Sequence, residues 1–265
     1  MCLILFAHRP VSGHVLVLAA NRDEFFARPT ESANYWADAP HVLAGRDLEK
    51  GGTWMGVTRD GRWAAVTNYR DGTRPETGSR SRGDLVARFL LEPSSAESYA
   101  AAVASAGAEY HGFNLLVGDA EGVYYVSNRG AQPQALEPGI YGLSNRLLDT
   151  PWPKVERGKR ELEALLGGNP EDPTESLLAL LADGRPAADD ALPETGVSRD
   201  WERLLSSAFI RAPGYGTRAS SVLLIEHGGE ASLRERSFGP SAELLEDRRF
   251  RFTVSPLLSP LTPVS

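Results

Sequence analysis

The chain has one cysteine, Cys2, and it directly follows Met1. A side chain this small in second position suits removal of the methionine, which would put a thiol and a free α-amine on one residue. A free α-amine titrates near pH ~7.7–8.0, so a useful fraction is unprotonated at neutral pH. Such an amine takes the thiol proton directly, and no separate histidine is needed. The chemistry this predicts is attack of the Cys2 thiolate on an acyl carbon. The same facts also fit a small buried hydrophobe at the start of a strand, a common place for a free cysteine.

Further along, the polar run Asn21-Arg22-Asp23-Glu24 follows an apolar stretch at 15–20. Arg22 near the thiol would lower its pKa by charge. Asp23 would accept from the α-amine and orient it. A polar run directly after a buried strand sits at the sheet edge, where sites are commonly built; a charged turn capping the strand is the other reading. Asn68 and Asn145 each end a short strand-like run. Each offers an amide N–H to a developing oxyanion, or serves as a turn residue. Gly51-Gly52 ahead of Thr53-Trp54 permits φ > 0 or a close backbone approach. Arg218, closing Gly214-Tyr215-Gly216-Thr217-Arg218, can bind an anionic group. That segment is too short for a phosphate loop and is followed by a strand, not a helix.

Elements must bring these residues together. Apolar runs at 2–6 and 15–20 around Pro10 and Gly13 read as a buried hairpin, which puts residue 2 and residues 21–23 at one end. A second hairpin is expected at 53–58 and 62–67, joined by Arg59-Asp60-Gly61. Helical patterns follow at 84–91 and from Ser95, with Ser94 and Glu97 in capping-box register. Strands are expected at 113–117, 123–127 and 141–144, and helices at 154–166, 174–181 and 200–207, with a Pro/Ala/Asp-rich loop at 186–193. Strands return at 220–225, 231–237 and 249–254. Short connections favour antiparallel pairing. Strands this apolar need cover on both faces, which predicts an α+β fold of two packed sheets with helices outside them. One domain is expected over 1–255, with an irregular proline-rich tail at 256–265.

Composition narrows the partners. The formal net charge of -7, with no polybasic run, disfavours nucleic-acid binding driven by phosphate contacts. The apolar run at 2–7 is too short for a secretory core or a membrane span. A single cysteine excludes an internal disulfide, a CxxC motif and a cysteine zinc cluster, and a reducing compartment is the simplest setting. His8, His14, His41, His111 and His227 show no metal-ligand spacing, so no metal is expected.

Together, Cys2, Asn21-Arg22-Asp23-Glu24, Gly51-Gly52-Thr53-Trp54, Thr67-Asn68-Tyr69, Phe113-Asn114-Leu115, Ser127-Asn128-Arg129-Gly130, Tyr141-Gly142-Leu143-Ser144-Asn145, Thr150-Pro151-Trp152 and the 214–218 segment resemble the NRDE family of transport and Golgi organisation proteins. The resemblance implies a four-layer αββα sandwich of the N-terminal-nucleophile hydrolase type. More distantly it extends to penicillin V acylases and bile salt hydrolases. It implies Cys2 as nucleophile, Arg22 and Asp23 as its supports, Asn68 and Asn145 at the oxyanion hole, and Arg218 as electrostatic support. It also implies a link to haem trafficking and to lipid or acyl-CoA metabolism. The expected ligand is therefore a small molecule: an acyl compound, an acyl-CoA, or haem as cargo. Hydrolysis of an amide or thioester without a cofactor is the expected reaction, in the cytoplasm; a non-catalytic carrier using the same cleft is the alternative.

Overall fold

The structure, a computed structural model, describes residues 2–10, 13–73 and 78–254. The expected tail at 256–265 lies outside the described residues. In chain order the first strands are β1 (Cys2–His8), β2 (His14–Phe25), β3 (Thr30–Tyr35), β4 (Val42–Asp47), β5 (Met55–Thr58) and β6 (Trp63–Asn68). Helices α1 (Arg82–Leu91) and α2 (Ala96–Ser105) precede β7 (Phe113–Gly118), β8 (Val123–Ser127), β9 (Gln134–Leu136) and β10 (Gly139–Leu143). Then come α3 (Pro153–Gly167), α4 (Thr174–Leu181) and α5 (Arg199–Leu205). The last strands are β11 (Arg211–Ala212), β12 (Tyr215–Glu226), β13 (Glu230–Phe238) and β14 (Leu244–Thr253).

Two antiparallel sheets result. One runs β10-β1-β2-β12-β13-β14, with β11 on β12; the other runs β3 to β9 in sequence order. Both expected hairpins form, β1–β2 and β5–β6. The strand β2 continues further than its apolar run. Asn21-Arg22-Asp23-Glu24 is therefore strand and not a turn at a sheet edge, and it lies between β1 and β12 in the sheet interior.

Period-two alternation sorts the side chains into layers. Along β1, Leu3, Leu5 and Ala7 face α3 and α4, while Ile4 and Phe6 face the second sheet. Along β2, Val17 and Ala19 take the helix side, and Leu16, Leu18 and Ala20 the space between the sheets. On the far side, α1 and α2 bury Leu85, Phe89, Leu90, Tyr99 and Val103 against β6 and β7. The order helix, sheet, sheet, helix is the expected αββα sandwich. Each fully buried Leu or Phe contributes roughly 1.5–3 kcal/mol to holding these layers together.

Local chemistry sets the helix ends. The cap of α2 is Ser95 and not Ser94: the Ser95 hydroxyl accepts from the Ser98 N–H at 3.2 Å, which moves the expected cap by one residue. Pro153 opens α3, where its missing N–H costs nothing. Gly158 then lets α3 press onto β1, because a Cβ there would lie 2.4 Å from a methyl of Leu5.

Candidate active site

The alternation along β2 continues through its polar residues. Cys2 and Arg22 are paired across β1 and β2 and share the inter-sheet side with Ile4 and Ala20. Asn21 and Asp23 take the helix side. Asn21 accordingly donates to Leu181 O and Ala208 O, both at 2.8 Å, and its Oδ1 accepts from Ser220 Oγ at 2.6 Å. The two faces of one strand thus serve two purposes: Arg22 lies on the side of the thiol, while Asn21 bolts the strand to the helical layer.

Arg22 is buried. Its guanidinium lies 4.4 Å from the ring centroid of Trp54, donates to Thr30 Oγ1 at 3.3 Å, and approaches Glu24 at 4.0 Å. Burial works against its charge, opposed by Glu24, Cys2 and Asp47; an arginine remains cationic through such a shift. Trp54 is brought over it by the Gly51-Gly52-Thr53 turn. The Thr53 N–H donates to Gly83 O at 3.2 Å, and a Cβ at Gly52 would lie 2.5 Å from the Gly83 carbonyl carbon. That is the close backbone approach expected of the glycine pair, and it ties the turn to the start of α1.

Cys2 is a half-buried free thiol. Burial pushes it above its ordinary value and the Asp23 carboxylate adds to this, while Arg22 and the Asp23 backbone N–H favour the thiolate. Asp23 is itself fully enclosed. Its Oδ1 accepts from Thr217 Oγ1 at 2.6 Å, and its backbone oxygen accepts from the Tyr215 hydroxyl at 3.2 Å. Burial pushes the Asp23 carboxyl up, and Lys154, Thr217 and Arg22 pull it down.

Asn68 ends β6 on the opposite sheet and lines the same cleft as Cys2. Asn145 stands behind it. The Asn145 Nδ2 donates to Asn68 O and to Asn68 Oδ1, each at 3.0 Å. This leaves the Asn68 Nδ2 donor without a partner among the described residues, at the cleft. Asn145 is fully buried and is not part of the cleft lining, so the side-chain amide expected there as an oxyanion donor meets Asn68 and not the cleft.

Arg218 also departs from expectation. It sits at the bulge between Thr217 and Ala219, donates to Phe25 O at 3.0 Å and Arg28 O at 2.9 Å, and lies against Phe26. It is outside the cleft lining and pins the turn after β2.

The cleft has a volume of about 610 Å³. Cys2, Arg22, Asp23 and Asn68 line it, with an aromatic cluster of Phe25, Trp201 and Tyr215, and with Arg28, Lys50, Arg80 and Arg82. Asp23, Glu24 and Asp47 share this lining; Arg28 pairs with Asp47 at 2.7 Å, and Arg80 with Glu109 at 2.9 Å. Among the described residues there is no group of three potential metal-ligating His, Cys, Asp or Glu side chains, and no helix is long and apolar enough to cross a membrane.

Residue-type reasoning passed over a second tier behind the site. Arg70 and Glu202 form a buried ion pair at 2.9 Å. Glu202 also accepts from the Thr195 N–H and hydroxyl, and Arg70 packs on Trp152. The Arg70 N–H donates to Asn145 O at 2.7 Å, so this pair anchors the Asn68–Asn145 unit. Lys154, in the first turn of α3, is buried with its ammonium on Leu205 O at 2.8 Å. One signal was present for it: Lys154, Gly158, Leu162 and Leu166 recur at i+4 spacing along the buried stripe of α3.

The chain matches the family model for Transport and Golgi organisation 2 over residues 1–240. It is 40% identical over 258 residues to the Transport and Golgi organization protein 2 homolog of Bos taurus, covering 89% of this chain and 93% of that protein. Against the Homo sapiens homolog it is 37% identical over 275 residues, covering 96% and 99%. Among solved structures, the C2A mutant of the conjugated bile acid hydrolase from Clostridium perfringens has a TM-score of 0.51 at 10% identity, covering 99% of this chain and 100% of that one. An N-acylethanolamine-hydrolyzing acid amidase ortholog from Caenorhabditis elegans has a TM-score of 0.50 at 11% identity, covering 84% and 92%. At these identities the likeness speaks for the N-terminal-nucleophile hydrolase fold alone. By its sequence relatives, the chain belongs to the Transport and Golgi organisation 2 family.

Proposed function

We propose that this protein is an N-terminal cysteine amidohydrolase-like enzyme that cleaves the amide or thioester of a small acyl substrate. The observation that carries the reading is the register of Cys2 with Arg22, on a cleft also lined by the backed amide of Asn68. A nucleophile, a fixed cation and a fixed donor around one cavity are the parts that acyl transfer requires.

In this reading Met1 is removed and Cys2 gains a free α-amine. The amine takes the thiol proton, and the thiolate bonds to the carbonyl carbon. The resulting oxyanion is held by the Asn68 Nδ2 donor, which needs no reorganisation because Asn145 already fixes the amide. Collapse breaks the C–N or C–S bond, and the α-ammonium returns its proton to the leaving amine or thiolate. A water, losing its proton to the same amine, then attacks the S-acyl carbon and releases a carboxylic acid and the thiol. The Arg22 charge offsets the burial that disfavours the thiolate. The aromatic cluster suits the apolar part of an acyl substrate, and the single free thiol suits a reducing compartment such as the cytoplasm.

The test is covalent capture. Untagged protein lacking Met1, incubated with an activated acyl ester, should gain the mass of one acyl group at Cys2, and Cys2→Ala should gain none. A processed wild type that gains no acyl group overturns the reading. The second reading is a carrier for an acyl-CoA or haem, favoured by the cations and aromatic rings that share this lining. It predicts that Cys2→Ala binds such a ligand as tightly as the wild type.

A further inference from the structure

The nucleophile and the oxyanion donor of the proposed reaction sit on different sheets. Cys2 opens β1 of the first sheet, and Asn68 closes β6 of the second. Acyl transfer requires both within reach of one carbonyl group, and a displacement of about 1 Å can cost on the order of 10²-fold in rate. Apolar packing between sheets is non-directional, so it does not by itself fix that geometry. A directional tie between the sheets does.

One buried residue supplies such a tie. Strand β10 pairs with β1 as far as Leu143 opposite Ile4 and ends there. The chain then bends at Ser144, which is 3% exposed. Its hydroxyl donates to Cys2 O at 3.1 Å and lies 3.3 Å from Asn145 Oδ1. A serine hydroxyl carries a single proton, so the two acceptors share it. Asn145 Nδ2 in turn donates to Asn68. Hydrogen bonds thus run from the backbone of the nucleophile residue, through Ser144 and Asn145, to the oxyanion donor.

The second sheet holds the backbone of the same residue. Ser144 O accepts from Thr67 Oγ1 at 2.6 Å, and Thr67 directly precedes Asn68 in β6. Thr67 Oγ1 accepts from Asn114 Nδ2 at 3.1 Å, and that amide also donates to Arg146 O at 2.9 Å. The Tyr125 hydroxyl donates to Asn114 Oδ1 at 2.8 Å. Thr67, Asn114 and Tyr125 are buried on the adjacent strands β6, β7 and β8, and they set the bend at 144–146 against the second sheet. Asn114 is not part of the cleft lining and bears on the site through this bend.

We propose that Ser144 is a positioning residue that locks Cys2 to the Asn68–Asn145 unit across the two sheets. This deepens the hydrolase reading and rests on it. The Ser144 hydroxyl touches no reacting atom. It fixes the Cys2 carbonyl, and with it the frame from which the thiol and the α-amine project.

The experiment uses the single cysteine of the chain. Protein lacking Met1 and labelled with 13C at the cysteine carbonyl gives one such signal, which needs no assignment. Ser144→Ala should move that signal upfield, because the carbonyl loses a donor, and Ser144→Thr, which keeps the hydroxyl, should return it. With an activated acyl ester, Ser144→Ala should acylate about 10–10²-fold more slowly, while alkylation of Cys2 at high pH, where the thiolate needs no base, stays within about twofold. A merely structural role would leave the two reactions changed together. A carbonyl signal unmoved in Ser144→Ala overturns the proposal, and so does acylation that is unslowed or slowed no more than alkylation. Should Ser144→Ala not fold, Thr67→Val, which releases the Ser144 carbonyl, is judged by the same criteria. A wild type that does not acylate defeats the hydrolase reading, and the carbonyl signal then decides the Ser144 tie by itself.

Discussion

Asn145 donates its side-chain amide to both oxygens of Asn68, each at 3.0 Å, from a position with no exposure of its own. The two asparagines therefore form one unit, with a donor presented by Asn68 and a clamp supplied by Asn145. Asn68→Ala should lower the acylation rate about 10²–10³-fold, the usual loss when one oxyanion donor is removed, with little change in stability. Asn145→Ala should lower the rate and also destabilise the fold by about 1–3 kcal/mol, since it strands buried partners. Acylation kinetics alongside urea denaturation separate the two.

The Arg22 guanidinium under Trp54 leads to a second expectation. Trp54→Leu keeps apolar volume between the sheets but removes the ring face that fixes Arg22. A desolvated cation–π contact of this kind contributes about 2 kcal/mol. The alkylation rate of Cys2 at neutral pH should fall on the order of tenfold, and its pH midpoint should rise, because the cation favouring the thiolate is no longer held in place.

The Arg70–Glu202 pair is buried on both sides, at 6% and 4% side-chain exposure. Breaking such a pair by removing one partner typically costs about 3–5 kcal/mol, whereas replacing both with apolar residues is far milder. Glu202→Gln should therefore destabilise the protein strongly, and the double change Arg70→Met with Glu202→Leu should recover much of the loss. Guanidinium unfolding midpoints give both values.

Stability should also depend on pH through Lys154, whose burial pulls its value down to about 8 from 10.5. In the unfolded chain the amine still holds its proton between these values, and in the folded protein it has released it. The unfolded state then binds more protons, so this group makes stability rise with pH from about 8 upward, and its burial penalty is fully present below 8. Between pH 8 and 9.5 the wild type should gain about 1–2 kcal/mol over Lys154→Gln. Denaturant titrations of both proteins at the two pH values check the difference.

Much of this architecture was legible from apolar runs. The β1–β2 and β5–β6 hairpins, the helices and the two-sheet packing all follow from strands too apolar for a wet face. What escaped was held by partners distant in sequence. The polar end of β2 reads as a turn until Trp54 covers Arg22 and Thr217 meets Asp23. Strand β3, Thr-Glu-Ser-Ala-Asn-Tyr, has no apolar alternation of its own; a bulge and the Glu235 carboxylate, which accepts from the Ala33 N–H at 2.6 Å, fix it from β13. At the site, Cys2, Arg22, Asp23 and Asn68 come together in one cleft, while Asn145 and Arg218 do not reach it. An asparagine or arginine in a motif does not reveal whether its donors face a cavity or a neighbouring carbonyl. Lys154 carried the opposite signal, a charged residue on a buried stripe, and only the fold shows the carbonyls of Leu205 and Ser207 that accept from it.

The central claim is that the α-amine of Cys2 drives the chemistry of its own thiol. The most direct measurement compares acylation rates, by intact mass with an activated acyl ester, for protein lacking Met1 and for protein bearing extra residues before Cys2. General-base assistance is worth about 10²–10⁴-fold, so the extended form should acylate at least about 10²-fold more slowly. Equal rates for the two forms would contradict the account.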